Sequence, residues 1–76
     1  MIREHDRVVL QVVLSELGLK AGDVGTVVHM YRMGKAFEVE FLGLNGETMA
    51  IATAEAGQVR PVQKGEIAHA RMLAVA

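Results

Sequence analysis

The sequence predicts an all-β fold, a small barrel of five short strands followed by a C-terminal tail. Three observations carry that expectation. Eight glycines cut the 76 residues into short pieces, which is the spacing of strands joined by tight turns. The pieces between them are rich in β-branched or aromatic residues. One of them, Ala36–Phe41, alternates apolar and acidic side chains, the mark of a strand with one face buried and the other in water.

The first strand is expected over Asp6–Val13, in DRVVLQVV. A loop over Ser15–Asp23 follows, with Leu17 and Leu19 tucked beneath it. The second strand is expected over Val24–Arg32, with Gly22 and Gly25 permitting positive φ or a bulge that bends the chain. Met33-Gly34-Lys35 turns the chain into the third strand. Leu44-Asn45-Gly46-Glu47 then reads as a hairpin turn of type I′, since Asn-Gly suits two central residues of positive φ. The fourth strand spans Glu47–Thr53. Ala54–Gly57 supplies a short turn, with room for one helical turn, and Gln58–Val62 is the fifth strand. Pro61 cannot donate to a ladder, so that strand should lie at an edge or end there.

Five short strands, a long first loop, tight hairpins among strands two to four and a turn before the fifth are the order of an SH3-like barrel. LKAGDVGTVVHMY is similar to the glycine-centred strand pair of KOW-type SH3-like domains. More closely, Ile2–Val62 resembles the bacterial domain-of-unknown-function family 4926, through HDRVVL, LKAGDVGTVVHMY, GKAFEVEF and NGETMAIAT leading to QVRPV. The resemblance implies an SH3-like fold and brings no catalytic residues with it. On this reading residues 1–62 form the barrel and 63–76 a C-terminal extension. KGEIAHARMLAVA holds strong helix formers, and Ile67, Ala70, Leu73 and Ala74 would share one helical face. The extension is either a frayed end or a short helix docked on the barrel or on a second subunit. Its apolar Met72, Leu73 and Val75 favour at least partial order.

Composition bounds the function. The chain has no cysteine, which removes disulfides, thiolate metal sites and cysteine nucleophiles and suits a cytoplasmic location. Apolar residues make up 51% with two Phe, one Tyr and no Trp, so the core must be mainly aliphatic. The charged start Met1–Asp6 predicts no secretory signal, and no run approaches the roughly 20 apolar residues of a membrane helix. Formal charge is −1, without the basic excess of a nucleic-acid footprint.

No constellation of residues points to catalysis or to a cofactor. His5, His29 and His69 lack metal-ligand spacing. Glu38 and Glu40 lie about 7 Å apart on one strand face, where alternating acids are what an antiparallel sheet shows to water. Ser15 is the only serine and lies in no nucleophile elbow. The expectation is a non-catalytic, cofactor-free binding module acting through protein contact, as a homodimer or as companion of a partner protein. Strands one and four are apolar on both faces, more than a small barrel can bury. In the fourth strand Met49 and Ile51 face one way and Ala50 and Ala52 the other. Val9, Ala50, Ala52, Met72 and Leu73 are the candidate interaction residues. The alternative is a nucleic-acid face of Arg7, Lys20, Tyr31, Arg32, Lys35 and Arg60, with His29 beside them.

Overall fold

The computed structural model describes residues 1–73. Its strands are β1 (Arg7–Leu10), β2 (Val24–Tyr31), β3 (Ala36–Leu42), β4 (Thr48–Glu55) and β5 (Val59–Pro61). They form one antiparallel sheet in the order β4-β3-β2-β1-β5. No other regular element occurs among the described residues except two single 3-10 turns, Ser15–Leu17 and Ala56–Gln58. The fold is all-β, as expected.

The alternation in β3 sets the inside. Phe37, Val39 and Phe41 are buried, whereas Glu38 and Glu40 stay half-exposed on the outer face. Their register decides which face of β4 turns inward: Phe37 lies opposite Ala54, Val39 opposite Ala52 and Phe41 opposite Ala50. Large residues on one strand leave room only for small ones on its neighbour, so the alanines fill the core side. Val8 and Leu10 of β1, Val27 of β2, Val59 of β5 and Leu19 of the first loop complete the cluster. Four of its members, Leu10, Val8, Val27 and Val39, are fully enclosed, each worth about 1.5–3 kcal/mol of burial.

Sheet curvature comes from two places. β2 carries a bulge between Val27 and His29, and such an extra residue bends a strand and raises its twist. Gly25, opposite the start of β1, has no positive φ. It is needed for space: a Cβ there would sit 2.5 Å from Val39 Cγ1 and 3.0 Å from both the Glu40 carbonyl oxygen and Phe41 Cε1. The sheet curls round one core, but its edge strands β4 and β5 are not paired with each other. It is an open, curled sheet.

Several boundaries differ from expectation. β1 ends at Leu10 because the next ladder bonds are made singly. Leu10 N–H donates to Asp23 O (2.8 Å) and Gln11 N–H to Gln58 O (2.7 Å), after which Val12 and Leu14 turn toward the core. Leu14 and Leu19 then bridge across the first 3-10 turn, closed by Gly18 in the left-handed region. β4 runs two residues past Thr53, and its end is fixed by a reciprocal cap in which Glu55 N–H donates to Gln58 Oε1 (2.8 Å). The Asn45-Gly46 turn is not type I′. Only Gly46 has positive φ, and the loop closes through Gly46 N–H to Gly43 O and Gly43 N–H to Glu47 O. Two consecutive positive φ values occur instead at Arg32 (51°) and Met33 (58°), before Gly34 (96°). Side chains in that region cost about 1–2 kcal/mol each.

The tail is ordered differently from either expectation. Residues 63–73 form no helix, yet Leu73 packs against the core. Two ion pairs hold this extended segment. Arg60 donates two hydrogen bonds to the Glu66 carboxylate (2.9 and 2.7 Å), and the Arg71 guanidinium grips Asp23 through both oxygens and also donates to Gly18 O (3.0 Å). Long-range pairing outweighs helix propensity, which is a weak local preference. Ala74, expected on the tail's helical face, and Val75, expected to favour its order, lie outside the described residues.

Candidate functional site

The inward turn of the β4 alanines exposes the opposite side chains. Ala52 is only 6% exposed and Ala50 is half-buried, whereas Ile51 is 52% and Met49 41% exposed. The expectation that Ala50 and Ala52 present an interaction surface is therefore corrected; the size of Phe37, Val39 and Phe41 opposite them is the reason. Val9 is also covered, at 5% exposure, on the outer side of β1 beside Arg60 and Val24. Of the five expected interaction residues, Met72 is open to solvent and Leu73 is partly covered against the core.

Other apolar side chains form the surface instead. Val24, Leu42, Leu44, Val62 and Ile67 line a hollow of about 490 Å³ on the outer sheet face, with the largely covered Val9 also in its lining. Leu19, Phe41, Leu44, Met49, Met72 and Leu73 line a second, about 710 Å³. Leu44, at the tip of the β3–β4 hairpin, belongs to both and is 82% exposed. The two hollows also share Val24, Leu42 and Ile67, and together they make one apolar region bordered by the tail. Singly exposed apolar residues are ordinary, whereas a contiguous set marks a contact surface. Sequence reading missed Val24, Leu42 and Leu44 because each looks like a strand or turn residue until pairing shows its side.

Charge is segregated around this region. Residues 36–55 carry Glu38, Glu40, Glu47 and Glu55 and no lysine or arginine. The Tyr31 hydroxyl donates to Glu38 Oε1 (2.6 Å) and Thr48 Oγ1 to Glu40 Oε2 (2.5 Å). The Glu38 bond, with some burial, raises the Tyr31 pKa. At the tail, the Arg60 bonds and the Gln63 N–H lower the Glu66 carboxyl to about 2. Burial alone would push Asp23 up, but bonds from Arg71 and the Lys20 N–H outweigh it and leave that carboxyl below its ordinary value.

The expected basic face is divided among three places. Arg7 and Arg60 border the outer hollow, and Arg60 is engaged by Glu66. Lys20 lies in the loop before β2, its N–H donating to Asp23 (2.8 Å). Arg32 and Lys35 flank the β2–β3 turn, roughly 20 Å along β2 from Thr26, the partner of Arg7, by strand rise. Tyr31 meets His29 edge to face, with ring centroids 4.5 Å apart. His29 Nδ1 lies 3.4 Å from Glu4, and no group of three His, Asp or Glu side chains suited to a metal occurs among the described residues. Nor is any described helix long and apolar enough to cross a membrane.

Residues 4–61 match the family described as Domain of unknown function (DUF4926), and the chain belongs to that family. No curated protein and no solved structure matches it.

Proposed function

We propose that this DUF4926 family member is a non-catalytic binding module on an SH3-like scaffold, mediating contact with another protein chain in a bacterial cytoplasm. The observation that supports it best is the contiguous apolar region from Val24 through Leu42 and Leu44 to Met72, left in water beside an unpaired strand edge. The carboxylates Glu38 and Glu40 support a structural role, since each already accepts a bond from a neighbouring hydroxyl on an open face. The cysteine-free sequence supports a reducing compartment.

The test joins two measurements. Light scattering from low to high micromolar concentration reports self-association, and retention of proteins from the native cell on immobilised chain reports a partner. Leu44→Glu should abolish whichever contact is found while leaving the thermal midpoint within a few degrees, because Leu44 is mostly solvated. Equal association by the parent and Leu44→Glu would contradict this reading. Retention of mixed single- and double-stranded oligonucleotides at low salt, without any protein contact, would replace it with a nucleic-acid role.

A further inference from the structure

The two edges of the sheet are unequal. β5 is three residues long and ends in Pro61, which blunts it as an edge. β4 is eight residues long, about 26 Å at the usual strand rise. It pairs with β3 along its length on one side, and on the other no strand adjoins it among the described residues. Its sequence TMAIATAE contains no proline and no lysine. Its one irregularity is the bulge near Phe41 and Leu42, at the hairpin end. An edge of this kind offers a row of backbone donors and acceptors to an added strand.

Charge selects the occupant. A second copy added antiparallel keeps inner residues opposite inner ones and outer opposite outer, because side chains alternate across the sheet. Pairing centred on Ile51 then sets Glu47 against Glu55 at both ends. Pairing centred on Ala52 avoids that clash but still joins two faces bearing Glu38 and Glu40. Like charges directly opposite are destabilising, which penalises the Ile51 register, and in either register this stretch offers no cation to pair with the glutamates. A strand that brings cations meets the opposite situation. Thr53 is the only outer-face residue between Glu38 and the edge, and Ile51 the only one between Glu40 and the edge. A residue added beside Thr53 lies two strand spacings, roughly 10 Å, from Glu38, within joint reach of a lysine or arginine and a glutamate. One oxygen of each glutamate holds the Tyr31 or Thr48 hydroxyl, which fixes the carboxylates while leaving the second oxygen to accept.

We propose that the β4 edge accepts, by strand addition, an extended segment of another protein in which apolar residues alternate with lysine or arginine. The proposal rests on the protein-contact reading above and names its site and partner chemistry.

The test uses the full chain, labelled for amide exchange measured by NMR, and three synthetic peptides. One alternates valine with lysine, the second valine with glutamate, and the third is the lysine peptide N-methylated at alternate residues, which keeps its charge but removes its ladder donors. The lysine peptide should slow exchange of amides within 48–55. The glutamate peptide should bind at least about tenfold more weakly, about 1.4 kcal/mol, and molar salt should narrow the gap. The methylated peptide should lose the protection. Thr53→Lys, an exposed substitution checked by its thermal midpoint, should weaken the lysine peptide and strengthen the glutamate one. Equal binding of the methylated peptide overturns strand addition, as does unchanged exchange in β4. A dimer of the chain alone with protected β4 amides overturns it in favour of a second copy. Peptide effects confined to Val24, Leu42 and Leu44 overturn the edge assignment and leave the protein-contact reading standing, whereas the Leu44→Glu result above judges that reading by itself.

Discussion

Gly25→Ala isolates one steric contact on which the curl of the sheet depends. The added methyl carbon would stand 2.5 Å from Val39 Cγ1, at least 1 Å inside the usual carbon–carbon optimum of about 3.5–4.0 Å. Val39 is fully buried, so its methyl can move only by displacing its neighbours, while the Glu40 carbonyl oxygen at 3.0 Å belongs to the backbone. Overpacking of this kind costs about 1–3 kcal/mol. The substitution also stiffens the unfolded chain, which returns about 0.4–1 kcal/mol, so a net loss of about 1–2 kcal/mol is expected. In a domain of this size that lowers the thermal midpoint by roughly 4–16 °C. Gly57→Ala is the control, because a Cβ there meets nothing within 4 Å and its φ is not positive; it should be neutral or slightly stabilising. Thermal and urea unfolding followed by circular dichroism measure both. Combining Gly25→Ala with Val39→Ala should recover part of the loss, with a coupling above about 0.5 kcal/mol. A Gly25→Ala protein as stable as its parent would refute the claim that close approach, rather than backbone freedom, requires this glycine.

The two faces of β4 should respond in opposite ways to charge. Ala52→Glu buries a carboxylate opposite Val39 and should cost several kcal/mol, a large part of the roughly 4–11 kcal/mol expected of 76 residues. Ile51→Lys should change stability by less than about 1 kcal/mol; similar urea midpoints for the two variants would mean the faces are assigned the wrong way round. Acid should release the tail. Glu66 is held at about 2 against an ordinary 4.5, so a released tail binds the proton more readily and docking is favoured above about pH 4.5. Docking should fade as pH falls from there toward 2, with Asp23 acting in the same direction. Amide shifts of Ala68 to Met72 followed by NMR should titrate in that window, and a midpoint at or above 4.5 would show that the latch does not form.

What the sequence revealed follows from where polarity contrast exists. In β3 every second residue changes from apolar to acidic, so the buried face of Phe37, Val39 and Phe41 was readable without a partner strand. In β4 the alternation is between large and small apolar residues, and hydrophobicity alone gives no reason to choose a face. The choice is made by the phenylalanines of β3, which become informative only once the register is known. The surface of Val24, Leu42 and Leu44 was hidden for the same reason. The helical option for the tail failed because its helix-forming composition is local, whereas the Arg71–Asp23 pair spans 48 residues. At the β2–β3 turn, Met33-Gly34-Lys35 was recognised through its glycine, but Arg32 and Met33 are not residues that announce positive φ.

The place of β5 in the sheet also dictates the order in which the molecule can assemble. β2, β3 and β4 are successive neighbours joined by short turns, so their contacts cost little loop entropy and can form early. β5 instead pairs with β1, Val8 meeting Pro61 across more than fifty residues. Closing a loop of that length costs roughly 2 kcal/mol more than closing a hairpin of about five residues. The β2–β4 meander is therefore the natural folding nucleus, with docking of the chain's two ends as the late step. During synthesis, Val8 and Leu10 must wait for Val59 to emerge before the core is sealed. Substitutions in β5 should accordingly accelerate unfolding far more than they slow folding, making the last strand the clasp that sets the lifetime of the native state.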